Sequence, residues 1–387
     1  MISKFFSSFF LSFFDFLKFK KLSKEKKEII FYSENESQWD FFEGIIKYLC
    51  IDKDCKVCYV TSSKKELEID RKIKNLKMFF IGSSYIRTIF FAILKTRIMA
   101  MSLPDLGKYE IKKSKYDVSY IFVPHNILST HMVFRNGAFD AFDIFFCAGP
   151  HHFREIRESE KKYKTKRKEL LKFGYSRIDK IIAKYNHKKN KRKINSKVKV
   201  LLAPSWDKNG LFETGATELI KLLSKNDYQV TLRPHPDTIR LNPKCIKNLL
   251  EIFENDTNII YSPIISSIES YFENDLMISD WSGSAFEFAF GTLKPVIFID
   301  LPKKVNNKQY VYFKSKPIEI ELRKKIGKVV KLNKLDQIKF TIESLLKKKV
   351  YWRKKISNVR GKNLYNLKKS GISGGEYIFQ YLKNLKK

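Results

Sequence analysis

Only five of the 387 residues are cysteine, and none of the usual uses of cysteine fits them. Cys50, Cys55, Cys58, Cys147 and Cys245 form an odd, scattered set, which argues against a disulfide framework and fits a reducing compartment. Cys55-Lys-Val-Cys58 has CxxC spacing but sits in the run Lys56-Val-Cys-Tyr-Val60, which reads as a strand, so ordinary core thiols are expected. The six histidines contain no HExxH and no close triad, making metal hydrolysis a poor fit. Carboxylates are scarce beside cations: 41 Asp plus Glu against 76 Lys plus Arg, a formal +35. No zinc-finger spacing, RNA-reading aromatic module or basic-zipper heptad accompanies that charge, and much of the excess is lysine, a diffuse attractor without the forked geometry that reads bases. No specific nucleic acid partner is expected. Charge alone does not choose among an anionic bilayer, an anionic substrate and a merely lysine-rich surface.

Long apolar runs are missing too. The amino terminus, Met1-Ile-Ser-Lys-Phe-Phe-Ser-Ser-Phe-Phe-Leu-Ser-Phe-Phe-Asp-Phe-Leu17, is dense in phenylalanine and followed by Lys18, Lys20, Lys21 and Lys24. It is short for a bilayer crossing and lacks a small-residue cleavage site. Residues 1–24 are therefore read as a membrane-associating segment, an amphipathic or hydrophobic helix whose rings enter an anionic interface; packing of the same helix on the folded body is the other reading. Tyr85 to Lys95 is a second short apolar helix with basic punctuation, either core or part of the same surface.

The chain is too long for one core by default, and its 43% hydrophobic content suffices for two. Strand patterns at 28–33, 56–61, 77–81, 98–102, 118–124 and 141–148 alternate with helical periodicity at 38–49 and 85–95. A second series has strands at 198–204, 229–233, 258–261, 276–279 and 295–299 and helices at 217–224, 335–347 and 372–384. Between them 161–199 is very basic, and its last part lacks any apolar pattern. The expected fold class is α/β, with two Rossmann-like domains facing across a cleft: residues 25–186, a basic linker 187–196, and 197–387, with a crossing back of the final helices left open.

The sharpest chemistry lies at strand ends of the second domain. Leu276-Met-Ile-Ser-Asp-Trp-Ser-Gly-Ser284 reads as a buried strand running into a polar turn and a helix start, where amides and hydroxyls suit phosphate oxygens. Ser279, Ser282, Gly283 and Ser284 are the candidate phosphate ligands. A carboxylate does not suit phosphate, so Asp280 is expected to orient neighbours or cap the helix. Glu287 is placed to accept from a sugar, glycerol or ribose hydroxyl, although capping accounts for part of the cluster. In Arg233-Pro-His-Pro236 the flanking prolines restrict the backbone so that His235 is held toward a ligand, with Arg233 assisting or facing solvent. Ala203-Pro-Ser-Trp206 offers Ser205 for a phosphate or ribose oxygen and Trp206 as a wall, or is a plain strand exit. In the first domain a strand exit bears His125 and a loop bears His131, a candidate base for an acceptor hydroxyl. His151 and His152 are the alternative.

Taken together, these segments resemble the CDP-glycerol glycerophosphotransferase family, the teichoic acid and capsule polymerases related to GT-B glycosyltransferases. Gly174-Tyr-Ser-Arg-Ile-Asp179, Ala203-Pro-Ser-Trp206, Arg233-Pro-His-Pro236 and Ile278-Ser-Asp-Trp-Ser-Gly283 carry the resemblance, which covers about 115 to 305. It implies an acceptor-side first domain and a nucleotide-donor-binding second domain, with His235 and the Ser279–Ser284 turn on a donor diphosphate. His131 is the nearest match to the first-domain catalytic histidine, although Thr130-His131-Met132 departs from the family's tryptophan-histidine-glycine context. The implied reaction is transfer of glycerol phosphate from CDP-glycerol to a lipid-linked or polysaccharide acceptor with release of CMP, needing neither metal nor cofactor. The implied location is the cytoplasmic face of the bacterial inner membrane, peripherally on an anionic surface. A nucleotide-sugar GT-B glycosyltransferase is the nearest rival, and a noncatalytic basic adaptor for membrane or polyanion is the reading from another class.

Overall fold

The computed structural model describes residues 2–67, 72–109, 111–188, 197–263 and 268–386. The chain forms two compact units, the first comprising Met1–Arg177, Asn307–Ser315 and Leu364–Lys387, the second Ile178–Asn306 and Lys316–Asn363. Most of the expected basic linker, from 189 to 196, lies outside the described residues.

The first unit is built on β1 (Ile29–Ser33), β2 (Val57–Thr61), β3 (Leu76–Phe80), β4 (Ile98–Met101), β5 (Ser119–Phe122), β6 (Ile144–Cys147) and β7 (Glu169–Lys172). They pair in the order β3-β2-β1-β4-β5-β6-β7, every pair parallel. All five residues of both β1 and β2 are buried, as a strand covered on both faces requires, which is why these segments do not alternate and carry Ser33 and Thr61 only at their ends. The basic tract hid one strand. Edge strand β7 has only Leu170 and Leu171 between charged ends, because an edge has one neighbour and tolerates charge. It is preceded by a helix, Pro150–Tyr163, and followed by another, Ser176–Lys188.

Gly174, between β7 and that helix, adopts φ +104, and a Cβ there would stand 2.6 Å from the carbonyl oxygen of Tyr365. Only glycine fits this turn. Just beyond it, Arg177 is buried and pairs with Asp40 at 2.8 Å. The last helix, Ser370–Asn384, also belongs to the first unit, where Gly371 meets Gly44 and Tyr48 Oη donates to Glu376 at 2.7 Å.

The second unit contains β8 (Lys199–Leu202), β9 (Gln229–Leu232), β10 (Ile259–Tyr261), β11 (Leu276–Ser279), β12 (Val296–Asp300) and β13 (Gly327–Lys331). They run parallel in the order β10-β9-β8-β11-β12-β13. The expectation of two parallel α/β units is thus met. Each strand order reverses once, at β1/β4 and at β8/β11. In open parallel sheets such a reversal parts the connections to either side and leaves a crevice at the carboxyl ends of the two strands.

The amino-terminal helix runs from Ile2 to Lys20. Its second half packs on the body: Phe16 and Phe19 are buried, Phe19 meets Phe79 and Phe90 edge to face, and the Phe80 backbone N–H donates to Asp15 Oδ2 at 3.1 Å. The rings of Phe9, Phe10, Phe13 and Phe14 stay exposed. Among the described residues no helix is long and apolar enough to cross a membrane.

Candidate functional site

The reversal at β8/β11 gathers most of the residues singled out in the second unit. The carboxyl ends of β9, β8 and β11 are consecutive in the sheet, so Arg233-Pro-His-Pro236, Ala203-Pro-Ser-Trp206 and Ser279-Asp-Trp-Ser-Gly283 leave it side by side. Hydrogen bonds tie two of these exits together. Ser279 Oγ donates to the Ala203 carbonyl at 2.8 Å, and the Ser205 backbone N–H donates to Asp280 Oδ1 at 2.7 Å. Asp280 is buried, and burial pushes its carboxyl up from the ordinary value against the hydrogen bonds from Ser205, Trp281 and Leu211. Its task is to hold the β8 exit. The cap of the helix Gly283–Thr292 falls instead to Ser282, whose Oγ accepts from the Ser284 N–H at 3.3 Å and lies 2.7 Å from Ser284 Oγ. Both hydroxyls therefore stand at the first turn, where amides are directed out of the helix and favour an anion.

His235 caps a second helix, Pro236–Leu241. The Asp237 backbone N–H donates to His235 Nδ1 at 3.1 Å. A nitrogen that accepts carries no proton, so the neutral ring holds its proton on Nε2 and presents it as a donor. Burial holds the imidazole down at about 4 despite Asp237, with Lys304 and Arg233 pushing the same way as burial. The Trp206 ring lies 6.2 Å from the His235 ring, centroid to centroid.

Lys304 escaped the reading of the sequence. Its Nζ stands 3.9 Å from the centroid of Trp206 and donates to the Trp206 carbonyl at 2.7 Å. Burial lowers the ammonium to about 8, with Asp207, Asp280 and Asp237 opposing. The only available signal was its position just past β12, and one lysine among so many basic residues does not stand out.

Arg233 and Glu287 are placed differently from the rest. Arg233 is 3% exposed, with its guanidinium 3.1 Å from Ser270 Oγ, 3.2 Å from Tyr271 Oη and stacked on the Tyr271 ring. Glu287 is buried and accepts from the same Tyr271 hydroxyl at 3.1 Å. Both fasten the scaffold below the exits, so expected contacts with a ligand become supporting ones: a strand-end arginine found buried aromatic and hydroxyl partners before solvent.

In the first unit His131 lies in the short helix Thr130–Val133 rather than on an open loop. It is 4% exposed because the segment Asn307–Ser315 covers it. Phe313 sits 4.8 Å from its ring, and Asn307 Nδ2 donates to its carbonyl at 3.0 Å. His131 Nδ1 is 3.4 Å from Glu155 Oε2, which also accepts from the Thr130 N–H at 2.6 Å and from Thr130 Oγ1 at 2.8 Å. Burial pushes the Glu155 carboxyl up, but His131 and the neighbouring imidazoles of His151 and His152 outweigh it and leave the group below its ordinary value. A carboxylate beside Nδ1 favours the proton on that nitrogen and the lone pair on Nε2, which is itself buried. Glu155 carries no motif. It is visible only as a residue one helical turn from His151 and His152.

His151, His152 and His125 are each held by a backbone carbonyl. His151 Nε2 is 2.9 Å from the Ile127 carbonyl and His152 Nε2 is 2.8 Å from that of Leu128, while the Ala148 N–H donates to His152 Nδ1 at 3.2 Å. Both rings are buried, which holds His151 down at about 3 and lowers His152 as well. They pin the loop ahead of His131 rather than facing a ligand. His125 is held in the same manner, 2.7 Å from the Ser102 carbonyl.

Two parallel α/β units, the second with a cationic, hydroxyl-lined reversal of strand order, define a class of open-sheet proteins suited to phosphate-bearing ligands. The fold is similar to that of the wall teichoic acid polymerase TagF, solved with CDPG, at a TM-score of 0.60 and 14% identity over 96% of this chain and 93% of that one. It is also similar to the UDP-GlcNAc 2-epimerase of Neisseria meningitidis, at a TM-score of 0.53 and 14% identity over 92% of this chain and 99% of that one. In sequence, the minor teichoic acid biosynthesis protein GgaB of Bacillus subtilis (strain 168) is 22% identical over 299 residues, 70% of this chain. The chain spans only 30% of the length of that relative. Residues 13–313 match the family model of CDP-glycerol:poly(glycerophosphate) glycerophosphotransferases, and the chain belongs to that family. The resemblance drawn from the four strand-end motifs is borne out, and the match extends well to either side of them.

Proposed function

We propose that this protein transfers glycerol phosphate from CDP-glycerol to a hydroxyl of a lipid-linked or surface glycan acceptor and releases CMP. The observation that carries the reading is the group of donors at the β8/β11 reversal in a chain of this family. A neutral His235 with its proton on Nε2, the Lys304 ammonium and the Ser282 and Ser284 hydroxyls at a helix start all leave neighbouring strand ends. In this reading residues 197–387 include the donor-binding part and residues 25–186 the acceptor side.

The acceptor oxygen attacks the β-phosphorus, its proton passes to a base for which His131 is the first-unit candidate, and the bond from the β-phosphorus to the bridging oxygen breaks. The electron pair leaves with CMP, and the new bond completes a phosphodiester. Charge develops on the phosphoryl and bridging oxygens, where His235 and Lys304 act without reorganising. Glu155 orients His131 and stabilises the imidazolium, while Asp280 keeps Ser205 and the β8 exit in register with the serine turn.

Work at the cytoplasmic face of a membrane fits the amino-terminal helix, whose exposed Phe9, Phe10, Phe13 and Phe14 lie just ahead of Lys18, Lys20, Lys21 and Lys24. The test is incubation of purified protein with CDP-glycerol and a membrane-derived glycan. CMP together with an acceptor heavier by one glycerol phosphate supports the reading; no CMP and no binding of CDP-glycerol sinks it.

A further inference from the structure

Away from the β8/β11 reversal, the second unit has a groove of about 650 Å³ along edge strand β13. Lys324, Lys328, Lys348 and Lys355 line it with Tyr351 and Trp352. Among the described residues the lining holds no carboxylate, and none of the four lysines forms an ion pair. Trp352 is 4% exposed and Tyr351 56%, so one ring is built into the floor while the other stands at the rim. Lys355 Nζ lies 4.6 Å from the Trp352 ring centroid and 5.6 Å from that of Tyr351.

Lysine on an edge strand is ordinarily protection against strand pairing. That purpose accounts for Lys328 alone. Lys324 comes from the helix before β13, Lys348 from the turn between the two helices that follow it, and Lys355 from the second of those helices. These elements and β13 itself bring four like charges to one concave surface, whose charge a polyanion complements. The groove opens beside Gly327, Lys328 and Val329, the amino-terminal part of β13, whereas His235 and Ser282 follow the carboxyl ends of strands parallel to it. Whatever binds in the groove is not the reacting phosphate.

We propose that the groove is a binding site for a phosphodiester-linked polyanion, with spaced phosphates on the lysines and the carbon backbone between them on the aromatic rings. That the polyanion is acceptor or product chain rests on the transfer reading above; the polyanion chemistry does not. The site holds a stretch of chain away from the point of transfer, which favours repeated additions to a chain already held.

Full-length protein is titrated with inorganic polyphosphate over a range of salt, comparing a groove variant, Lys328→Gln/Lys348→Gln/Lys355→Gln, with a variant that removes equal charge from the first unit, Lys64→Gln/Lys65→Gln/Lys77→Gln. The groove variant is expected to bind about tenfold more weakly with a shallower salt dependence, and the other to change less than about twofold. Equal loss in both, or loss in neither, overturns the proposal. Tyr351→Ala and the single Lys328→Gln and Lys348→Gln changes repeat the test with less disturbance to folding. Vesicles of phosphatidylglycerol form the second arm: unchanged vesicle binding by the groove variant is expected, whereas selective loss there with polyphosphate binding intact would assign the groove to membrane and reject the proposal. CMP release with a short soluble acceptor reports the transfer reading separately. Its failure beside an intact polyphosphate difference would remove that reading and leave the polyanion site standing.

Discussion

The backbone N–H of Asp237 reaches His235 Nδ1 at 3.1 Å and so decides which nitrogen of the ring faces a ligand. A neutral ring donating from Nε2 is expected to contribute as a hydrogen bond to a charged group does, about 1.5–3 kcal/mol. His235→Ala should weaken CDP-glycerol binding roughly 10- to 100-fold by calorimetry. Because burial holds the ring down at about 4, the ratio of wild type to variant should be the same at pH 7.5 and pH 5.5. A ratio that grew toward pH 5.5 would mean that the ring works as a cation. The sign for stability follows from the same shift: a folded value below the ordinary value of about 6.5 gives a contribution present above about pH 6.5 and lost as pH falls through about 4.

Lys304 titrates on the other side of neutrality. With its ammonium lowered to about 8 by burial, wild-type affinity for an anionic donor should fall between pH 7 and pH 9 as the charge is lost. Lys304→Met should bind weakly at pH 7 and show no such decline. A variant that kept the wild-type profile would remove Lys304 from the site.

Glu155 touches His131 and lies in the first unit, apart from the diphosphate ligands assigned to the second. Glu155→Gln should lower kcat roughly 10²- to 10⁴-fold while leaving the Kd for CDP-glycerol within about twofold. A matching loss in donor Kd would point to general misfolding instead. Since the carboxyl is held below its ordinary value, the stability it contributes is present above about pH 4.3 and lost as pH falls through the lower folded value.

Phe10 and Phe14 are 53% and 55% exposed on a helix whose other face is packed on the body. Each ring that enters a bilayer interface is worth up to about 1.5–3 kcal/mol. Phe10→Ser/Phe14→Ser should therefore reduce cosedimentation with anionic vesicles at least tenfold and shift stability by no more than about 0.5 kcal/mol per residue. Unchanged cosedimentation would free this helix of any membrane role.

Legibility in the sequence followed burial. β1, β2 and β11 are buried along their whole length and stand out as unbroken apolar runs. Edge strands β7 and β13, Glu169-Leu-Leu-Lys172 and Gly327-Lys-Val-Val-Lys331, have one neighbour each, need few apolar residues and vanish into a lysine-rich background. At the site, strand exits rich in proline, serine and glycine were visible because they break the pattern around them. Lys304 does not break a pattern in this composition. The burial of His131 depends on Asn307 and Phe313, more than 170 residues further along the chain, and local spacing holds no trace of it.

The central claim concerns which bond breaks, and mass analysis of the nucleotide released from CDP-glycerol in the presence of acceptor tests it most directly. Attack at the β-phosphorus predicts CMP, in amounts equal to the glycerol phosphate gained by the acceptor and, at donor concentrations below the wild-type Kd, reduced roughly 10- to 100-fold with His235→Ala. Release of CDP, or CMP in undiminished amounts from His235→Ala, would contradict the account.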